Sequence, residues 1–175
     1  MELSTDELRD VAAYAAACAE PALTVFEQVR PDDRRPRDAI EVARTFAAGG
    51  RRTRAIRDAA WAAQKAYQEC RDAGEEAAAE AARAAVAAAS AAYLHPLANA
   101  TQVLHILGAA GHAARALELH TSDGTAGAAH LEKARALAGP TVVNVLSRYP
   151  QAPPGRGRTG ELVRTLDAAL RTAPG

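Results

Sequence analysis

Apolar residues recur along this chain at spacings of three and four, the period of one face of an α-helix. Val11, Ala15, Cys18 and Ala22 form the first such stripe, and Leu23, Phe26 and Val29 continue it towards Pro31. Ser4 and Glu7 stand at capping-box spacing ahead of it, and Asp6 and Glu7 suit the positive end of a helix. Pro21 lies inside the stripe and predicts a kink or a restart. Asp32 and Asp33 are cap candidates for a second helix, with Pro36 in its first turn, where a missing N–H is tolerated. Ile40, Ala43, Phe46 and Ala47 form its inner face, and Gly49 and Gly50 end it. Thr53 caps a third helix carrying Ile56, Ala60, Trp61 and Tyr67, which Gly74 stops.

Glu75 to Tyr93 is a helical run made almost entirely of alanine. Such a run has little large apolar surface and is marginal alone, so it must pack closely against a neighbour. His95-Pro96 breaks it, because the residue before a proline disfavours helical geometry. Pro96 to His120 then predicts the most apolar helix, and Asp123-Gly124 a turn. Further helices are expected over residues 126–137 and 141–149. Residues 151–160 are rich in Pro, Gly and Arg and predict a linker before a last helix with Leu162, Val163, Leu166 and Leu170. The expected architecture is all-α: a single-domain bundle or stacked array of about seven or eight helices. Its parts are a helical domain over 1–150, a Pro/Gly linker over 151–160, and a C-terminal helix over 161–175 that packs on the same domain.

Composition agrees with that class. Of 175 residues, 47 are Ala, only 28 are Leu, Ile or Val, and two are Phe; this favours helix over strand. Nineteen Arg and two Lys balance 21 Asp and Glu. The zero net charge argues against a general polyanion binder, while leaving room for a local patch. Cys18 and Cys70 have the spacing of neither a disulfide framework nor a zinc site. No stretch has the length and large side chains that a bilayer span needs. Met1 to Asp10 is acidic, without the basic start of a secretory signal, so the cytoplasm is the expected location.

Histidines are the first candidates for chemistry. His105 and His112 lie seven apart, on one face of the fifth helix with Gly108, Arg115 and Leu119, while Val103, Ile106, Leu107, Ala110, Ala114 and Leu117 occupy the other. Apolar residues on both faces predict a central helix whose polar stripe lines a pocket, reached also by Tyr93 and His95. Seven residues rise about 10 Å, too far for one metal ion to bridge, so neither a metal nor any other cofactor is expected. The alternative is that these imidazoles are simply packed and hydrogen-bonded.

An arginine block forms the second candidate: Arg34, Arg35, Arg37, Arg44, Arg51, Arg52, Arg54 and Arg57, with Asp32, Asp33, Asp38, Glu41 and Asp58 interleaved. It suits either a docking patch for an acidic partner or a salt-bridged surface. Aromatics are not interleaved, which disfavours nucleic acid. Gly155 to Gly160 matches G-x-G-x-x-G, but it follows Pro153-Pro154 rather than a strand and fails as a dinucleotide site; a flexible linker is expected there instead.

Two stretches carry a family likeness. One is Arg30 to Arg44, with Asp33, Arg35, Pro36, Arg37, Ala39, Ile40, Glu41, Ala43 and Arg44 matching a D-x-R-P-R-x-A-I-E-x-A-R motif. The other runs from Tyr93-Leu-His-Pro-Leu to His105-Ile-Leu-Gly-Ala-Ala-Gly-His112. With Cys18-Ala-Glu and Arg148-Tyr-Pro, they make residues 8–150 resemble a bacterial, all-helical family of immunity proteins. The resemblance implies a cytoplasmic protein that neutralises a cognate toxin by binding, without catalytic residues.

Two function classes therefore stand side by side. One is a non-catalytic immunity-type module docking a protein toxin, with Asp33, Arg35, Arg37, Glu41 and Arg44 at the interface. The other is a small-molecule-binding protein or enzyme with a pocket around Tyr93, His95, His105 and His112. No membrane partner is expected, and a homodimer stays open.

Overall fold

A computed structural model describes residues 1–155 and 157–172. Among these the chain is all-α, with eight helices and no strand: α1 (Thr5–Val29), α2 (Arg35–Ala47), α3 (Arg54–Asp72), α4 (Glu76–Ser90), α5 (Val103–Thr121), α6 (Gly124–Leu137), α7 (Pro140–Ser147) and α8 (Gly157–Thr172).

The capping box at the start of α1 forms as the sequence indicates. Ser4 Oγ accepts from the Glu7 N–H at 3.1 Å, and Glu7 Oε2 accepts from the Ser4 N–H at 2.8 Å. The break expected at Pro21 does not occur: α1 runs unbroken from Thr5 to Val29. Pro21 sits on the exposed side of the helix, where the carbonyl it leaves without a donor can meet water. The neighbours Ala19, Ala22 and Leu23 are buried and hold both halves to the same core.

Alanine dictates the centre of the molecule. In α4, Ala78, Ala79, Ala81, Ala82, Ala84, Ala85, Ala88 and Ala89 are all buried, and α1, α2, α3 and α5 pack around it. Methyl-sized side chains let these axes approach closely. Larger groups from the partners, among them Val11 and Phe26 of α1, Ile40 and Phe46 of α2, and Ile106 and Leu107 of α5, fill the space between them. The close-packing requirement read from the alanine run is thus met on several sides at once.

The predicted fifth helix is shorter than its apolar pattern. It starts at Val103 rather than Pro96, after a single 3₁₀ turn over Ala100–Gln102. Asn99 caps that turn, its Oδ1 accepting from the Thr101 N–H at 2.9 Å. Residues 95–99 remain outside any helix. The Tyr149 hydroxyl holds them by donating to the His95 carbonyl at 2.8 Å. From Val103 onward α5 is central, packed against α1, α4, α6 and α8.

In the Pro/Gly segment, residues 151–155 are non-helical and Gly157–Gly160 already belong to α8. Arg156, within the G-x-G-x-x-G match, and residues 173–175 of the expected last helix lie outside the described residues. α8 closes on α5 where Gly111 stands: a Cβ there would lie 2.4 Å from Val163 Cγ2. No described helix is long and apolar enough to cross a membrane.

Candidate functional site

The helical spacing of α3 sends its side chains to two destinations. Ile56, Ala63, Ala66 and Cys70 face the core. Arg57, Trp61, Gln64 and Gln68 fall on another side and form one wall of a groove of about 820 Å³. α4 supplies the floor with Arg83, Val86, Ala87 and Ser90, and Tyr93 follows from the next turn. α5 adds Leu104, His105, Gly108 and His112. The far wall is Pro153 and Gly155 with Thr159, Gly160 and Val163 of α8. Trp61 is 64% exposed at the rim and Leu104 42%.

The expected polar stripe on the central helix therefore lines a cavity. His105 Nδ1 is 3.1 Å from the Ser90 carbonyl. A carbonyl only accepts, so Nδ1 carries the proton and Nε2 keeps its lone pair. Burial holds the His105 pKa below its ordinary value, so the ring is neutral at pH 7. His112 Nδ1 is 2.7 Å from Glu80 Oε2, and Thr159 Oγ1 donates to the same carboxylate at 3.4 Å. This carboxylate fixes the His112 ring, again with Nδ1 as donor.

Cations on aromatic faces frame the groove. Arg57 and Arg52 stack over Tyr93 at 5.4 and 5.6 Å, and the Tyr93 hydroxyl donates to the Thr53 carbonyl at 3.2 Å. Arg83 lies over Tyr67 at 5.3 Å and donates to Gln64 Oε1. Among the described residues, no Asp or Glu lines the groove. Among the described residues, neither Arg57 nor Arg83 has a carboxylate within ion-pair distance.

Tyr93, His105 and His112 thus come together, while His95 does not join them. The His95 side chain is exposed outside the groove, and its backbone is held by Gln102 Oε1 at 2.9 Å and by Tyr149. Arg115 also leaves the groove, to pair with Glu118 at 3.2 Å.

The arginine block divides: Arg57 lines the groove, whereas Arg34, Arg35, Arg37 and Arg44 lie elsewhere and stand beside carboxylates. Arg35 bonds Asp33 and Glu69, and Arg34 reaches Asp38 at 3.4 Å and Glu41 at 3.5 Å. Arg37 grips Glu27 bidentately at 2.7 and 2.8 Å, and Arg44 pairs with Glu20. Arg37 and Arg44 thus tie α2 to α1. Glu20 and Glu27 share the seven-residue spacing of Arg37 and Arg44, in reverse order, as two antiparallel helices require. The N-cap of α2 is Arg34, without a side-chain cap bond, rather than Asp32 or Asp33; Asp33 lies one residue before it, its Oδ1 accepting from the Arg35 N–H at 3.1 Å.

Cys18 and Cys70 are buried free thiols. Burial pushes them up to about 12 and about 11, so both stay protonated at neutral pH and neither is an activated nucleophile. Among the described residues, no three His, Cys, Asp or Glu side chains come together in an arrangement that could hold a metal ion.

Several residues escape the sequence reading: Trp61, Gln64, Arg83 and Thr159 in the groove lining, and Glu80, which holds His112 from outside it. Trp61 leaves a signal, as a large aromatic on the polar side of the third helix. Glu80 and Thr159 leave none, because they lie 79 positions apart on α4 and α8 and only the fold unites them.

A family model described as "Imm-5 like putative immunity protein" matches residues 1–138. The match takes in α1 to α6, so the groove walls on α3, α4 and α5 lie within it and the α8 wall lies beyond it. No curated protein and no solved structure matches the chain.

Proposed function

As the chain belongs to the Imm-5 like immunity protein family, we propose that it neutralises a cognate toxin by direct, non-catalytic binding in the cytoplasm of the bacterium that makes both. The docking surface is the groove, with Trp61 as its anchor. One observation carries this reading: the only tryptophan of the chain stands 64% exposed at the rim of a preformed cavity. Tryptophan, tyrosine and arginine dominate binding energy at protein interfaces, and Trp61, Tyr93 and Arg57 meet here. The α2 part of the arginine block is the weaker docking candidate, because the guanidinium groups of Arg35, Arg37 and Arg44 already hold α2 to α3 and α1.

Native mass spectrometry of the protein purified gently from its own producing cells tests this. The wild type carries a co-purifying polypeptide, and the Trp61→Ala variant, equally folded, loses it. Retention of the same polypeptide by the variant removes the groove as the docking site.

A specific observation favours a second reading. His105, neutral, and His112, oriented by Glu80, face one cavity whose volume falls in the range of small-molecule sites. On this reading the groove holds a small molecule, with His112 as a proton acceptor. The same mass measurement detects a retained ligand of low mass, and His105→Ala with His112→Ala abolishes it while the fold persists.

A further inference from the structure

The groove has an electrostatic character that the chain as a whole lacks. The protein has zero net charge, and most of its arginines stand beside carboxylates: Arg30 by Glu75, Arg35 by Asp33, Arg37 by Glu27, Arg148 by Glu7, Arg158 by Glu118 and Arg171 by Asp167. Arg57 and Arg83 break that pattern. Among the described residues, they line a cavity that no Asp or Glu lines, and the polar side-chain partner of Arg83 is the neutral amide Gln64. The nearby carboxylate of Glu80 is occupied by His112 and Thr159. Two guanidinium groups thus face a space with donors to spare and no counter-charge.

The surfaces beside them are apolar or aromatic: Trp61, Tyr93 and Leu104 at the rim, Val86 and Val163 inside. A ligand matching both features carries a carboxylate next to a large apolar group. We propose that the groove reads an acidic side chain flanked by an aromatic or large aliphatic one, presented by a segment of the toxin. The carboxylate is held by Arg57 and Arg83 and the apolar neighbour by Trp61 and Tyr93. This rests on the toxin-docking reading of the same groove and adds the chemistry of what enters it.

The occupant is a protein segment rather than a free metabolite, because Trp61 and Leu104 stay open at 64% and 42%. A small-molecule site encloses most of its ligand, whereas an interface leaves its anchors accessible until a partner covers them. His105 is neutral and contributes no charge at pH 7, so charge recognition falls to the arginines.

Trp61 is the only tryptophan in the chain and reports occupancy of the groove directly. The probes are N-acetyl-phenylalanyl-glutamyl amide, its glutaminyl counterpart, and free 3-phenylpropionate, each titrated against the intrinsic fluorescence of the full chain. The glutamyl peptide is expected to bind at least ~10-fold tighter than the glutaminyl one, a ratio that shrinks as salt is raised. Arg83→Gln and Arg57→Gln, checked by circular dichroism for an unchanged fold, bring that ratio towards one. Equal binding of the two peptides, or binding of neither, overturns the proposal. Binding of 3-phenylpropionate more than ~10-fold tighter than the glutamyl peptide also overturns it, assigning the site to a small carboxylate. The two readings fail separately. If Trp61→Ala loses the co-purifying toxin but the peptides are not discriminated, docking stands and acid recognition falls. If the peptides are discriminated but Trp61→Ala keeps its toxin, the anion site stands and toxin docking at the groove falls.

Discussion

Glu118 of α5 is 4% exposed, yet it is ionised, because Arg158 holds its carboxyl below the usual range and Arg115 assists. A carboxylate whose pKa falls on folding contributes stability that is present above its unfolded value and is lost as pH drops through the folded one. Glu118→Gln is therefore expected to lower stability by roughly 1–3 kcal/mol at neutral pH, with the deficit closing in acid, as urea unfolding at several pH values would reveal. The same side chain excludes a Cβ at Gly127, which would come within 2.4 Å of Glu118 Oε1. His105 and His130 act in a higher window. Burial depresses both below 6.5, and His130 Nε2 has no partner among the described residues. Below pH 6.5 the unfolded chain binds protons that these folded imidazoles refuse, so stability full above that value falls as pH drops towards their folded pKa values. Melting temperatures should be flat above about pH 6.5 and decline below it; a profile still flat down to about pH 5 would contradict the burial of both rings.

At the scale of the helix, alanine in α4 is a geometric requirement more than a source of apolar area. Ala85 is fully buried, with α1, α2, α3 and α5 around its helix. Ala85→Leu adds volume that no neighbour can yield and should cost about 1–3 kcal/mol or more, measured by chemical denaturation. The ties between α2 and α1 behave differently. Arg37 and Arg44 have partly exposed side chains, so each change to Ala should cost no more than about 1 kcal/mol and leave the fold intact. If the groove is the docking site, the double variant keeps its co-purifying partner in the native mass spectrum. Loss of the partner from this folded variant would move the interface to α2.

Across the whole molecule, the groove is assembled from parts remote in sequence. α3 contributes one wall, α4 the floor with α5 beside it, and α8 the far wall, with α8 beyond the residues the family model matches. Trp61→Ala removes an exposed side chain and should shift global stability by less than about 0.5 kcal/mol, while weakening a complex that uses it by roughly 2 kcal/mol, about 30-fold in affinity. Isothermal titration with the partner, once its mass has named it, checks both the fold change and the unaltered melting temperature.

Local patterns in the sequence determined the helices. Ser4 with Glu7, Pro36, Gly49 and Asp123 act within a few residues of themselves, so start and stop signals are legible without a fold. The alanine run foretold close packing, and the seven-residue spacing of His105 and His112 foretold a shared face, because both are properties of one helix. Pro21 misled, since its cost depends on which side of α1 meets water and on the core that grips both halves. The true start of α5 was hidden for a similar reason: Tyr149 holds the His95 backbone from the far end of the chain. Tertiary structure alone decided which charges find partners. It brought Glu20 and Glu27 to Arg44 and Arg37, and Glu80 to His112 and Thr159. It also left Arg57 and Arg83 facing an open groove, because ion pairing acts over a few ångströms of space, whatever the distance along the chain.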